Sequence, residues 1–257
     1  MINTFIFSKE KGQTFPVKTE DVPKYLSKEF LLWVDMEPMG EAEREFLSSY
    51  FKLHHLALDD CKNEATRPKI EGYKDYLFIV FDALNFNPGE EVMDTINLNI
   101  FLGENFIVSV HAKPLQTAQA LQKKLQNGSP LLSQGVDRIA HGLLDGVVDN
   151  YFPIVDELDD CIEDVEEKIL KGVSMGVQRE ISHMKRRVIA LRRFIAPQRD
   201  IINMILVDHP GFISQETKTY FRDIHDHLLH ILDTIEVHRD LLSGAMESYM
   251  SQISNQL

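Results

Sequence analysis

Apolar positions change their period near the middle of the chain. Up to about residue 130 they come in short runs. Residues 2–7 and 30–36 (FLLWVDM) are strand-like, and 76–86 (YLFIVFDALNF) is the strongest strand of all. From 92 to 102 the pattern alternates, with Ile96, Leu98, Ile100 and Leu102 on one face. The stretch NFIVSVH at 105–111 follows a Gly103-Glu104 turn, so these two segments predict a hairpin. A further strand is expected at 67–73, and amphipathic helices at 40–51, 54–61 and 113–126, the last closed by Asn127-Gly128-Ser129-Pro130.

From Gln134 onward the period is helical almost to the end, with breaks near 172–176 and 209–211. The pattern predicts one helix over 135–170, bent at Pro153. A second runs over 177–207 on a seam of Ile181, Met184, Val188, Leu191, Ile195, Gln198, Ile202 and Ile205. Pro197 inside it should kink it, because proline removes a backbone donor. A third helix starts at Ser214, a suitable N-cap, and carries the seam Ile224, Leu228, Ile231, Ile235, His238, Leu242, Ala245, Tyr249 and Gln252. No capping glycine or proline follows it, which suggests a helix that continues past Leu257. At ~1.5 Å per residue it would exceed ~55 Å, longer than a compact domain of this size is wide. Such a helix implies partners beyond its own head, and symmetric copies are the expected ones. His238 and Gln252 place polar groups in the seam, which suits a partly wet funnel better than a dry coiled coil. The expected fold class is therefore α+β, an α/β/α sandwich head over 1–133 followed by a long helical stalk over 134–257.

Charge narrows the function. The 257 residues carry 40 acidic against 27 basic side chains, a net −13. That balance excludes nucleic acid as the main partner and fits a protein that attracts cations. The basic run at Lys185-Arg186-Arg187 and Arg192-Arg193 has no aromatic stacking platform beside it. Its expected counterpart is the acidic run 156–167, eight carboxylates in twelve residues, on the neighbouring antiparallel helix. Cys61 and Cys161 are far apart and form no CxxC, so they read as free thiols of a reducing compartment. There is no secretory signal and no apolar window long enough to span a bilayer. GxSxG, HExxH, P-loop and GxGxxG motifs are all absent, so the chain does not read as an enzyme.

Two carboxylate groupings stand out. Asp59 and Asp60 end a short helix, where the dipole disfavours negative charge and a compensating cation is expected. On the last helix Asp223 and His227 share one face, and Asp226, His230 and Asp233 another. Pairs of this kind bind a metal when a third ligand arrives from elsewhere. Solvent-facing polar residues are the plainer reading of both groupings, and a structural coiled-coil adaptor with an α/β head is the alternative from another class.

The blocks HHLALDDCKN…RPKIEGYKDYLFIVFDAL, LLDGVVDNYFPIVDELDDCIEDVEEKIL, KRRVIALRRFIAPQRDII and YFRDIHDHLLHILDTIEVHRDLLSG resemble the cytoplasmic part of CorA-type divalent-cation transporters. The resemblance implies a homopentamer with a funnel-shaped cytoplasmic domain on the inner face of the membrane. The last helix then leads into membrane segments with a Gly-Met-Asn filter, beyond the residues present here. It also implies metal-sensing carboxylates between subunits, which fall on Asp59, Asp60, Asp145 and Asp223, with His227 beside them. Glu247 takes the pore-proximal position where related members carry an aspartate. The implied ion, both regulatory and transported, is Mg2+, with Co2+ or Ni2+ as softer passengers. The stretches EATRPK (64–69) and APQRD (196–200) resemble the zinc-transporting ZntB branch, and ten histidines suit Zn2+ as the alternative.

Overall fold

A computed structural model of the chain describes residues 2–63, 66–85, 94–171, 175–208 and 211–256. Phe86, Val92, Met93, Glu64, Ala65 and Leu257 lie outside the described residues, as do 172–174 and 209–210 of the helix breaks read near 172–176 and 209–211; 175 and 176 already belong to the helix that follows. Seven strands form one mixed sheet: β1 (Ile2–Ser8), β2 (Gln13–Pro16), β3 (Phe30–Met36), β4 (Lys69–Gly72), β5 (Tyr76–Asn85), β6 (Asp94–Gly103) and β7 (Phe106–Val110). Their order is β2-β1-β3-β7-β6-β5-β4. All pairs are antiparallel except β3 with β7.

Both faces of the sheet are covered, which is why β3 and β5 are apolar without alternation. Helices α1 (Glu41–Tyr50) and α2 (His55–Asp60) lie on one face, against Leu32, Val34, Phe78, Val80 and Phe101. On the other, α3 (Gln116–Gln126), α4 (Leu131–Gln134) and α5 (Val136–Asp149) cover Trp33, Leu77, Ile79, Leu98 and Ile100. This second core continues without a break into α6 (Phe152–Lys171), α7 (Met175–Asp208) and α8 (Gln215–Gln256). The head is the expected α/β/α sandwich.

Every residue of the α7 seam is buried, and so is the α8 seam apart from half-buried Gln252. The Ser214 hydroxyl accepts the Thr217 N–H at 3.1 Å, the expected cap. Three details differ from the sequence reading. The helix over 135–170 is two helices, parted at Asn150-Tyr151; Pro153 sits in the first turn of α6, where a missing N–H costs nothing. His238 is not wet: it is buried, and its Nε2 meets Asp159 Oδ1 at 2.9 Å. The acidic and basic runs pair only in part, Arg187 with Glu157 at 3.2 Å, whereas Arg192 turns to Glu236 on α8 at 2.6 Å.

Two buried polar groupings organise the sheet. Asp35 receives the Ser109 hydroxyl, the Gln122 amide at 2.7 Å and His111 Nε2 at 3.3 Å, and Ser109 accepts Trp33 Nε1–H at 2.9 Å. Both nitrogens of His111 face oxygens, since Nδ1 lies 2.7 Å from the Lys113 carbonyl. A ring that carried both protons would satisfy both oxygens. Burial opposes that charge, but the hydrogen bond and charge of Asp35 outweigh it and raise the His111 pKa. Serine, histidine and aspartate meet here without forming a nucleophile, because the fully buried hydroxyl is spent on Asp35.

The second grouping joins sheet to helices at Asp82 on β5. Its N–H donates to Gln198 Oε1 of α7 at 3.3 Å, and its carbonyl accepts the Tyr151 hydroxyl at 2.5 Å. Its side chain accepts Asn97 Nδ2 at 2.5 Å. Burial pushes the Asp82 carboxyl up to about 6, against the opposing pull of Asn97 and Gln198. A carboxyl raised in the folded state contributes stability below its unfolded pKa of about 3.9 and loses it as pH rises through the folded value. Thermal unfolding should show that loss between about pH 4 and 6, and Asp82→Asn should flatten it. An unchanged profile in the variant would refute the assignment.

Candidate metal centre

One face of α5 makes the site. Its buried residues, Ile139, Ala140, Leu143, Leu144, Val147 and Val148, pack into the core shared with the sheet. The residues His141, Asp145 and Asp149 recur every fourth position on another side, one above the next. That side meets the start of α8, where Phe221 and Ile224 are buried and Asp223 and His227 stand one turn apart. Asp145, Asp149 and His227 each bring a ligand atom within 4.8 Å of the others. Asp223 Oδ2 is 3.9 Å from His227 Nε2, too far for a hydrogen bond but within reach of the group. The carboxylates open on a 460 Å3 groove between α3 and α5, also lined by Lys124 and Arg138. Gly146 lets α3 come this close, since a Cβ there would lie 2.6 Å from Thr117 Cγ2.

Carboxylates dominate the electrostatics of the cluster. Burial raises the pKa of Asp145, and Asp223 adds to the rise while His227 and Lys124 oppose it. Asp149 stands at the exposed rim, where partial burial and then Asp145 raise it. Among the described residues neither carboxylate has a hydrogen-bond donor, and His227 Nδ1 is buried without a partner. Phe152 sets the His227 ring edge-on at 5.5 Å. His141 is different: burial, then Arg138, lowers it to about 4, so it is neutral at pH 7. Its 4.0 Å approach to Asp145 is therefore no ion pair. It packs edge-on to Tyr220 and Phe221, and Arg138 stacks on Tyr220 at 3.5 Å. Two carboxylates and an imidazole fit a divalent cation, oxygen for a hard ion and nitrogen for a borderline one.

Of the residues singled out in the sequence, Asp145, Asp223 and His227 come together. Asp149, one turn beyond Asp145, joins them; its four-residue spacing was the available signal. Asp59 and Asp60 do not, because α2 lies on the opposite face of the sheet. Their compensating cations are within the chain: Arg44 lies 2.5 Å from Asp59 and Lys69 2.8 Å from Asp60. Glu247 is exposed on α8, 20 residues beyond His227, or about 30 Å along the helix.

The family model described as "CorA-like Mg2+ transporter protein" matches residues 28–257. The chain belongs to this CorA-like family. Its members are ion transporters rather than enzymes. Among relatives, YfjQ of Bacillus subtilis is 33% identical over 226 residues, covering 88% of this chain and 69% of that protein. The cobalt/magnesium transport protein CorA of Thermotoga maritima is 29% identical over 210 residues, covering 81% and 60%. The chain thus spans about two thirds of the length of these CorA-like relatives. The ZntB cytoplasmic domain of Vibrio parahaemolyticus shares the fold over 99% of both chains at a TM-score of 0.82 and 12% identity. No helix among the described residues is long and apolar enough to cross a membrane.

Proposed function

We propose that this CorA-like chain is the ion-sensing cytoplasmic part of a divalent-cation transporter that works as a homopentamer, with residues 1–133 as head and 134–257 as stalk. The observation that carries the reading is the convergence of Asp145, Asp149 and His227, with Asp145 raised by burial and Asp223, Asp149 raised by burial and Asp145, and no hydrogen-bond donor on either carboxylate among the described residues. These three, with Asp223 beside them, would hold the regulatory ion, Mg2+; when bound, it supplies the positive charge that cancels their repulsion. Without that charge, Asp145 and Asp149 press α5 away from Asp223 on α8. Ion binding thus favours the arrangement in which α5 and α8 are close, and by linkage that arrangement binds the ion more tightly. Asp59 and Asp60 belong to a second sensing point in this reading, completed by Asp223 of a neighbouring copy, for which Arg44 and Lys69 would have to yield.

Mg2+ is the favoured cargo, with Co2+ and Ni2+ as passengers. Zn2+ is the second reading, and the imidazole of His227 in the donor set favours it. Uptake by the full-length protein in liposomes, comparing Mg2+ with Zn2+, separates the two. Mg2+ flux is expected; zinc flux without it would transfer the chain to the zinc branch, and flux of neither would end the transporter reading.

A further inference from the structure

The charges of α6 and α7 are not all used inside the chain. On α6, Asp156, Asp160 and Glu163 recur at spacings of four and three and are exposed. They stand opposite the buried seam of that helix, which runs through Leu158, Ile162 and Val165. On α7, Arg179, Arg186 and Arg193 recur every seventh position, exposed and opposite Ile181, Val188 and Ile195. Among the described residues none of these six side chains makes a hydrogen bond or ion pair, although their neighbours do. In a chain of net charge −13, an unpaired line of three arginines is drawn to the chain's own acidic faces.

The relative height of the two stripes is fixed. Lys168 meets Glu180 at 2.5 Å and Arg187 meets Glu157 at 3.2 Å, which sets the register of the antiparallel hairpin. That register brings Asp160 about level with Arg186 along the helix axes. Copies related by rotation about an axis along the stalk keep their heights. The acidic stripe of one copy and the basic stripe of the next are then level without any shift.

We infer that these stripes meet between copies, α7 of one lying antiparallel along α6 of the next. Different surfaces meet, so the contact is heterologous and closes into a ring about the stalk axis. The inference rests on the reading that copies assemble, and adds which helices face each other.

The test is sedimentation of the 257-residue chain at about 20 mM and about 500 mM salt, where the screening length falls from roughly 20 Å to roughly 4 Å. Association at low salt is expected to weaken about 10- to 100-fold at high salt, as for a few exposed ion pairs acting together. R179E/R186E/R193E alone should not associate, nor should D156K/D160K/E163K alone, because each then presents two like stripes. An equimolar mixture of the two should associate again as dimers or short open chains of alternating variants, since unlike neighbours attract but five copies cannot alternate all the way round a ring; that recovery also shows both variants folded. If either variant associates as tightly as the wild type, the contact is wrong and assembly stands. A wild type and a mixture that both stay monomeric at low salt also overturn the contact, as does a monomeric wild type that binds heparin through the arginines. Monomeric full-length protein in detergent would instead sink the assembly reading itself.

Discussion

In a chain carrying Asp145→Asn with Asp149→Asn, Mg2+ no longer raises the unfolding temperature. In the wild type, Mg2+ at 100 times its dissociation constant should stabilise the fold by about 2.7 kcal/mol. For a domain of this size that is roughly 5–10 °C. The amides keep the shape of the site but remove the negative charge that attracts the ion. Without Mg2+ the sign reverses. Both carboxyls are raised in the folded chain, so their ionised forms are disfavoured there, and stability falls as pH rises through the folded values. The double variant lacks that loss and should unfold about 1–2 °C higher than the wild type near pH 7. Protons compete with the ion for the same oxygens, so the Mg2+ effect should fade on acidification sooner than ordinary carboxylates would dictate. Glu247→Gln, far along α8, should leave the Mg2+ response intact. A full Mg2+ shift in the double variant would remove the ion from this site.

The second large effect is structural. Asp35→Ala should cost about 3–5 kcal/mol, because it leaves buried His111 Nε2 without the carboxylate it faces. Ser109 and Gln122 lose their acceptor in the same step. The unfolding midpoint should drop by roughly 10 °C or more. Asp35→Asn keeps an acceptor oxygen and should lose less. If Asp35→Ala unfolds within a degree or two of the wild type, His111 is neutral and the network is not held by charge. Either way Mg2+ stabilisation should persist, since Asp35 lies at the end of β3, apart from the α5–α8 cluster.

The parts of this molecule that repeat along the chain were legible in the sequence. The seams of α7 and α8 recur at helical spacing, and all but Gln252 are buried. The β6–β7 hairpin followed from alternation around a glycine turn. By contrast β2, four residues of which none is buried, has no periodic signal to detect. Pro153 drew the predicted bend to itself, although the chain breaks two residues earlier and the proline merely starts the next helix. The cluster was half visible. Asp223 and His227 stood out through their spacing and Asp145 through resemblance, but Asp149 acquires its role only when α8 arrives from more than 70 residues away. Arg44 and Lys69, which occupy Asp59 and Asp60, come from separate elements and left no local pattern. His238 read as a wet interruption because Asp159, its partner, is 79 residues distant.

The joint at Asp82 has a mechanical consequence. One residue of β5 accepts Tyr151 and donates to Gln198, so the sheet grips the α5–α6 joint and α7 at a common point. Tyr151 is two residues past Asp149. The Asp145–Asp149–His227 cluster therefore sits next to a fulcrum, with α8 as the long arm. Twenty-nine residues of α8 follow His227 to Gln256, about 44 Å of helix. Each degree of tilt about the cluster carries the far end through roughly 0.8 Å. Displacements at Asp145 and Asp149 too small to disturb the head would arrive at the other end of α8 as movements the width of an atom.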